Sequence, residues 1–110
     1  MDIQKQVEYW LTSSNEDWEV AAKLVHEGRS RHGLFFAHLA LEKVLKAIIC
    51  QNTQDIAPRI HNLPRLSDVA GLTLNTDHAD ILADMNQFNI EGRYPEGYFK
   101  RRRFSSRMCG

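Results

Sequence analysis

The chain has 110 residues, 43% of them hydrophobic, and this size and composition fit one globular domain with a single core. The two cysteines, Cys50 and Cys109, lack the spacing of metal ligands and offer no disulfide framework. The first ten residues lack the apolar core of a signal peptide, so we expect a cytoplasmic protein.

The formal net charge is zero, but the charges are unevenly distributed. All 14 acidic residues precede Tyr98, whereas Lys and Arg crowd the last eleven residues. We therefore expect a helical domain over residues 1–98 and a basic C-terminal tail over residues 99–110. Cations flanked by Phe99 and Phe104 have the composition of a nucleic-acid contact. A disordered end, or docking onto the acidic body of a partner, would explain the same composition.

Apolar residues recur at spacings of three and four from Ile3 to about Glu27, which predicts one long amphipathic helix. Ser14 interrupts the stripe, and Ser13 with Glu16 has capping-box spacing, so a second helix starting there is the alternative. Gly28 ends the helix and the next four residues form a short turn. The first two helices are thus expected to form an antiparallel hairpin.

Residues 33–51 are predicted to form the central helix. Set at 100° per residue, their apolar side chains fill an arc too wide for a single neighbour. The remaining narrow strip is polar and carries His38, Glu42, Lys43 and Lys46. Glu42 and Lys46 stand in the favourable i to i+4 order, for which a surface salt bridge is the simplest interpretation. These charges exclude a membrane span.

The segment that follows contains two prolines and predicts a loop. Asn62 caps a short third helix that Gly71 ends, and Asn75 or Thr76 starts a fourth. The apolar face of this fourth helix consists of Ile81, Leu82, Met85 and Phe88. The helix must end or kink at the segment GRYP, residues 92–95. The sequence therefore predicts an all-α, up-and-down bundle of four or five helices.

Four segments, taken in order, resemble the HEPN family of small helical domains. They are AAKLVHEG (21–28), FFAHLALEKVLKAII (35–49), IHNLPRL (60–66) and GRYP (92–95). The residues that match the family pattern are Ala40, Glu42, Lys43, Lys46, Ala47, His61, Leu63, Leu66, Arg93, Tyr94 and Pro95. The resemblance extends over roughly residues 7 to 98 and implies a HEPN-like bundle that dimerises.

The resemblance also implies function, because many such domains work beside a minimal nucleotidyltransferase as one half of a toxin and antitoxin pair. Several members are metal-independent ribonucleases with an Arg-x4-6-His motif. Arg93 is not followed by such a histidine, whereas Arg31 and His38 have the spacing. Arg31 and His38 are therefore the candidate catalytic residues, although one such match is expected by chance.

The candidate nucleotide- or RNA-binding residues are Lys46, His61, Arg93 and Tyr94. A guanidinium grips phosphate through a planar fork, and an imidazole donates or shuttles a proton near neutral pH. The alternative is structural: Arg93 would pair with an acidic side chain, and His61 would cap a helix or bond a loop carbonyl. We expect an anion site where the His61 loop and the GRYP segment approach the Lys46 end of the central helix.

Motifs of several enzyme classes are missing from the sequence. It contains no Walker loop, no His-Glu-x-x-His and no nucleophile elbow, which argues against an NTPase, a zinc hydrolase and a serine hydrolase. We expect no cofactor and no metal.

Three functions remain. The first is a nucleotide- or RNA-associated component of a toxin-antitoxin type module, working as a homodimer with a minimal nucleotidyltransferase. The second is an active ribonuclease toxin, and the third is a structural interaction domain without a ligand.

Overall fold

A computed structural model describes residues 2–91, with side chains through residue 87. This part of the chain forms four helices: α1 (Ile3–His26), α2 (Ser30–Thr53), α3 (Leu63–Val69) and α4 (Thr76–Glu91). No strand occurs within these residues. The prediction of an all-α bundle is confirmed.

Helix α1 is continuous, as the apolar period predicts. Its N-cap is Asp2, whose side chain accepts a hydrogen bond from the backbone N–H of Lys5. No second helix starts at Ser13, and the polar residue that interrupts the stripe, Ser14, has another role. It is buried, and its hydroxyl donates to the backbone carbonyl of Ala40 in α2 at 2.8 Å. The polar break in the apolar stripe is thus a contact between the two long helices.

The turn between α1 and α2 is shorter than predicted, because α2 begins at Ser30 and not at Gly33. Gly28, at φ +83°, makes the turn. Gly33 lies inside α2, where a Cβ atom would come within 2.5 Å of Val25 Cγ2 and 3.0 Å of the Ala21 carbonyl oxygen. The glycine that suggested a helix start instead lies at a close contact between the two helices.

Asparagine side chains fix the second half of the bundle. Asn62 caps α3 by accepting from Arg65 N–H, and Asn75 caps α4 by accepting from His78 N–H. Asn86 of α4 accepts a hydrogen bond from Leu63 N–H at 3.1 Å and so ties α4 to the start of α3. The predicted third and fourth helices are confirmed, with Asn75 as the cap.

The core surrounds α2, which contacts all three other helices. The largest cluster of buried residues consists of Ala21, Leu34, Ala37, Leu45, Ile49, Leu63, Leu66, Ala70, Leu82 and Met85. Leu41 is only partly buried, and Ile81, predicted for the apolar face of α4, is 41% exposed. The side chain of Phe88 lies outside the described part of the chain. None of the described helices has the length and apolar character needed to cross a membrane.

Candidate functional site

The polar strip of α2 is buried. His38, Glu42 and Lys46 are 1%, 7% and 6% exposed, although the sequence suggested a solvent-facing strip with a surface salt bridge. Two segments far away in sequence cover them. Trp10 of α1 lies against Lys46, and the connection from α2 to α3 brings His61 onto Glu42. The expectation of a surface pair is therefore wrong, since helical periodicity does not show which loops return to a helix.

The carboxylate of Glu42 joins the members of this cluster. Its Oε2 accepts a hydrogen bond from Lys46 Nζ at 3.1 Å and lies 2.9 Å from Nδ1 of His61. Its Oε1 lies 3.9 Å from Nδ1 of His38. Lys46 Nζ is also 5.3 Å from the ring centroid of Trp10, within range of a cation–π interaction. A charged lysine is stabilised inside the protein by a carboxylate and an aromatic face.

His61 differs from its partners because 68% of its side chain is exposed. Its backbone position is fixed, since the next residue is the N-cap of α3 and the one after it is bonded to Asn86. One ring nitrogen contacts the buried carboxylate while most of the ring faces solvent. The protein therefore presents an exposed imidazole whose orientation is set by the buried carboxylate of Glu42.

A second charged cluster lies between α1 and α2. Lys43 Nζ is 2.6 Å from Asp17 Oδ2 and donates a hydrogen bond to Ser13 Oγ at 2.7 Å. Both charged side chains are partly exposed. This cluster connects the two long helices and has no exposed histidine.

The sequence model of the HEPN domain family matches residues 7–108, which is nearly the whole chain. The chain belongs to the HEPN family. Comparison with curated proteins gave no significant match, and neither did comparison with solved structures. Membership of this family relates the protein to nucleotides or RNA.

Of the residues proposed for binding in this HEPN domain, Lys46 and His61 are brought together by Glu42. Arg93 and Tyr94 lie outside the described residues, as do the GRYP segment, the basic tail and the expected domain boundary at residue 98. Sequence reasoning missed Glu42 as a member of the site. Its signals were its place in the family pattern and the i to i+4 spacing to Lys46, and that spacing is equally typical of surface pairs.

The candidate catalytic pair of the HEPN domain lies on α2. Arg31 is exposed near the start of the helix, whereas His38 is buried two turns further on. Contact between His38 and RNA would therefore require the protein to open. Three further histidines are exposed: His26, His32 and His78.

An apolar groove runs along the other side of α2. It has a volume of about 670 Å³, and its lining is formed by Leu11, Thr12, Ser14, Asn15, Trp18, Ala40, Leu41 and Val44. Trp18 on its rim is 54% exposed. A second cavity of about 220 Å³ shares Leu41 and Val44 and continues the apolar surface to Leu72 and Ile81. We call this combined surface the apolar groove.

Cys50 lies at the end of α2 and is fully buried. Burial raises the pKa of its thiol, because desolvation disfavours the thiolate. A neutral buried thiol is a packing residue, not a nucleophile. Among the described residues, no group of three His, Cys, Asp or Glu side chains could hold a metal ion.

Proposed function

We propose that this HEPN protein is a nucleotide- or RNA-associated component of a toxin-antitoxin type module in the cytoplasm, where it acts with a minimal nucleotidyltransferase. Family membership supports the link to nucleotides or RNA. The observation that carries the proposal is the exposed imidazole of His61, held at 2.9 Å by Glu42, which itself bonds Lys46. A histidine that only caps a helix would not need a buried carboxylate and ammonium beneath it.

The binding site would combine this imidazole with residues from the GRYP segment. Arg93 is expected to grip a phosphate with its guanidinium, and Tyr94 offers a ring on which a base can stack. Lys46 is buried and acts indirectly, by binding the carboxylate of Glu42 that holds His61. Because these roles differ, each predicted residue can be tested by its own substitution.

Binding is tested by calorimetry with AMP and with a short single-stranded RNA, using wild type, His61→Ala and Arg93→Ala. We expect binding to wild type and at least a tenfold loss in Arg93→Ala, since hydrogen bonds to charged groups contribute about 1.5–3 kcal/mol. The loss in His61→Ala should be smaller, about fivefold, as for one neutral hydrogen bond. Lys43→Ala is the matched control, because Lys43 lies on the same helix in the other charged cluster. Wild type that binds neither ligand would favour the interaction domain.

Incubation of the same variants with labelled RNA separates a binding protein from a ribonuclease. Uncleaved RNA in the presence of wild type supports the proposal. Cleavage lost in His61→Ala would favour an active ribonuclease that uses this site, because a carboxylate-oriented histidine suits proton transfer. Cleavage lost only in His38→Ala would instead favour the pair Arg31 and His38.

The proposed partner is tested through the neighbouring gene. A reading frame that encodes Gly-Ser followed by Asp-x-Asp, the pattern of a minimal nucleotidyltransferase, should lie beside this one. Co-expression should yield a complex that survives gel filtration, and one of the two proteins alone should arrest growth. The absence of such a reading frame would argue for the interaction domain.

The homodimer is proposed to form through the apolar groove. Leu11 and Trp18 are about half exposed on one side of it and Ile81 on the other, which is unfavourable in water. A stable dimer needs about 800 Å² of buried surface per partner, and a groove shared by α1, α2 and α4 offers a continuous apolar area. Sedimentation equilibrium should give twice the 12.7 kDa monomer mass, and Trp18→Glu should give the monomer. A wild-type monomer at micromolar concentration would refute this.

A further inference from the structure

We propose that Nε2 of His61 accepts a hydrogen bond from a ribose 2′-hydroxyl, so that the site selects RNA over DNA of the same sequence. This inference rests on the nucleotide- or RNA-binding function proposed above and assigns a specificity to it. It follows from the hydrogen-bond chemistry of three side chains: His61, Glu42 and Lys46.

The contact with Glu42 determines which nitrogen of His61 carries a proton. Glu42 Oε2 accepts from the ammonium of Lys46 at 3.1 Å, and a carboxylate paired with an ammonium only accepts hydrogen bonds. Nδ1 of His61, 2.9 Å from the same oxygen, must therefore be the donor. In the neutral imidazole this leaves a lone pair on Nε2.

The exposed part of His61 is thus a hydrogen-bond acceptor. With 68% of the side chain exposed, the ring is open to a ligand. Phosphate oxygens are also acceptors, so they do not pair with Nε2 in this form. The ribose 2′-hydroxyl is a donor that every RNA nucleotide carries and DNA lacks. N–H groups of bases are donors too, including N3–H of uracil, but the base is the same in oligo(U) and oligo(dU), which allows the two kinds of donor to be separated.

Glu42 and Lys46 act through His61 and not on the ligand. Glu42 has 9% of its side-chain surface exposed, and the ammonium of Lys46 lies over Trp10. Glu42 is a positioning residue that fixes the ring and its tautomer. Lys46 donates a hydrogen bond to the same carboxylate oxygen and so holds Glu42 in place.

The test compares oligo(U) with oligo(dU) of equal length, which differ only in the 2′-hydroxyl. Affinities for the full chain are measured by calorimetry at about pH 8, where histidine side chains are generally neutral. We expect wild type to bind oligo(U) about fivefold more tightly, as one neutral hydrogen bond allows.

His61→Asn is the matched variant. Its amide can still donate to Glu42 from the position of Nδ1, but nothing replaces Nε2. We expect equal affinity for oligo(U) and oligo(dU), with the melting temperature of wild type. A preference that persists in folded His61→Asn would overturn the inference, as would wild type that binds both oligomers equally.

The two proposals fail differently. Wild type that binds neither oligomer contradicts the proposed function and this inference together, whereas binding without discrimination contradicts the inference alone.

NMR of wild type tests the inference even if His61→Asn does not fold. The nitrogen shifts of His61 should show a protonated Nδ1 and an unprotonated Nε2, and the Nε2 signal should move with oligo(U) and not with oligo(dU). The opposite tautomer would overturn it.

Discussion

Two lysines on one helix show how differently the protein treats similar charges. Lys43 and Lys46 are three residues apart and were predicted to share one polar strip. Lys46 is buried, and its partner Glu42 also holds His61. Lys43 is partly exposed and pairs with Asp17 across the α1–α2 contact. One pair belongs to the candidate site, and the other connects two helices.

This difference shows that the burial of a charged pair, and not the pairing itself, decides how much each residue contributes to the stability of the fold. Lys43 and Asp17 keep 21% and 16% of their side chains exposed, so water solvates these two charges better than those of Lys46 and Glu42. In a buried pair, removal of one partner leaves the other charge desolvated and uncompensated. Substitutions in the two clusters should therefore have very different effects on stability.

The largest effect is expected for Glu42→Gln. It leaves the ammonium of Lys46 buried without a negative partner and should lower the free energy of unfolding by about 3–5 kcal/mol. Urea titration followed by circular dichroism measures the loss. Asp17→Asn is the control in the partly exposed cluster, with a clearly smaller expected loss. Similar losses for the two variants would show that the clusters are energetically equivalent.

The next largest effect on stability is expected for a leucine in the core-facing side of α2. Leu45 is buried in the core, so Leu45→Ala should cost about 2–5 kcal/mol in urea titrations. Leu41 is only partly buried and lines the apolar groove, so Leu41→Ala should cost clearly less in the monomer. Both leucines belong to the wide apolar arc of the predicted central helix, and that arc does not distinguish them. Equal measured losses at low protein concentration would mean that Leu41 is covered in the monomer.

A smaller effect is expected where α1 and α2 touch without charges. Gly33→Ala should cost about 1–3 kcal/mol, because the new methyl group would overlap Val25 Cγ2 and the Ala21 carbonyl. The cost should fall when Val25→Ala is introduced in the same chain, since that change removes the closest atom. A double-mutant cycle measures the coupling. If Gly33→Ala loses the same stability in the Val25→Ala background, the strain arises from the contact with the Ala21 carbonyl oxygen.

The smallest effect is expected for Lys43→Ala, which should change the free energy of unfolding by at most about 1 kcal/mol. The reason is the partial exposure of both Lys43 and Asp17. Thermal unfolding at low and high salt should show that the small loss disappears with screening. A loss comparable to that of Glu42→Gln would place Lys43 among the residues that the fold requires.

The sequence by itself determined the local features of this protein. The period of three and four residues predicted the long helices, and Asn62, Asn75 and Gly28 marked their ends, because capping hydrogen bonds and left-handed turns involve residues only a few positions apart. The order of short motifs was enough to identify the HEPN family, and the match over residues 7–108 confirms it.

Only the tertiary structure decided which residues of the polar strip are buried. Periodicity predicts which side chains share a face of α2, but it does not specify what covers that face. Trp10 and His61 reach Lys46 and Glu42 from 36 and 19 residues away in sequence. Burial depends on such distant segments. The Glu42–Lys46 pair, which looks like a surface salt bridge in the sequence, is therefore buried, and its carboxylate holds the exposed His61. The same dependence made Gly33 an interhelical contact and not a helix start, because only the position of Val25 shows that space is lacking there.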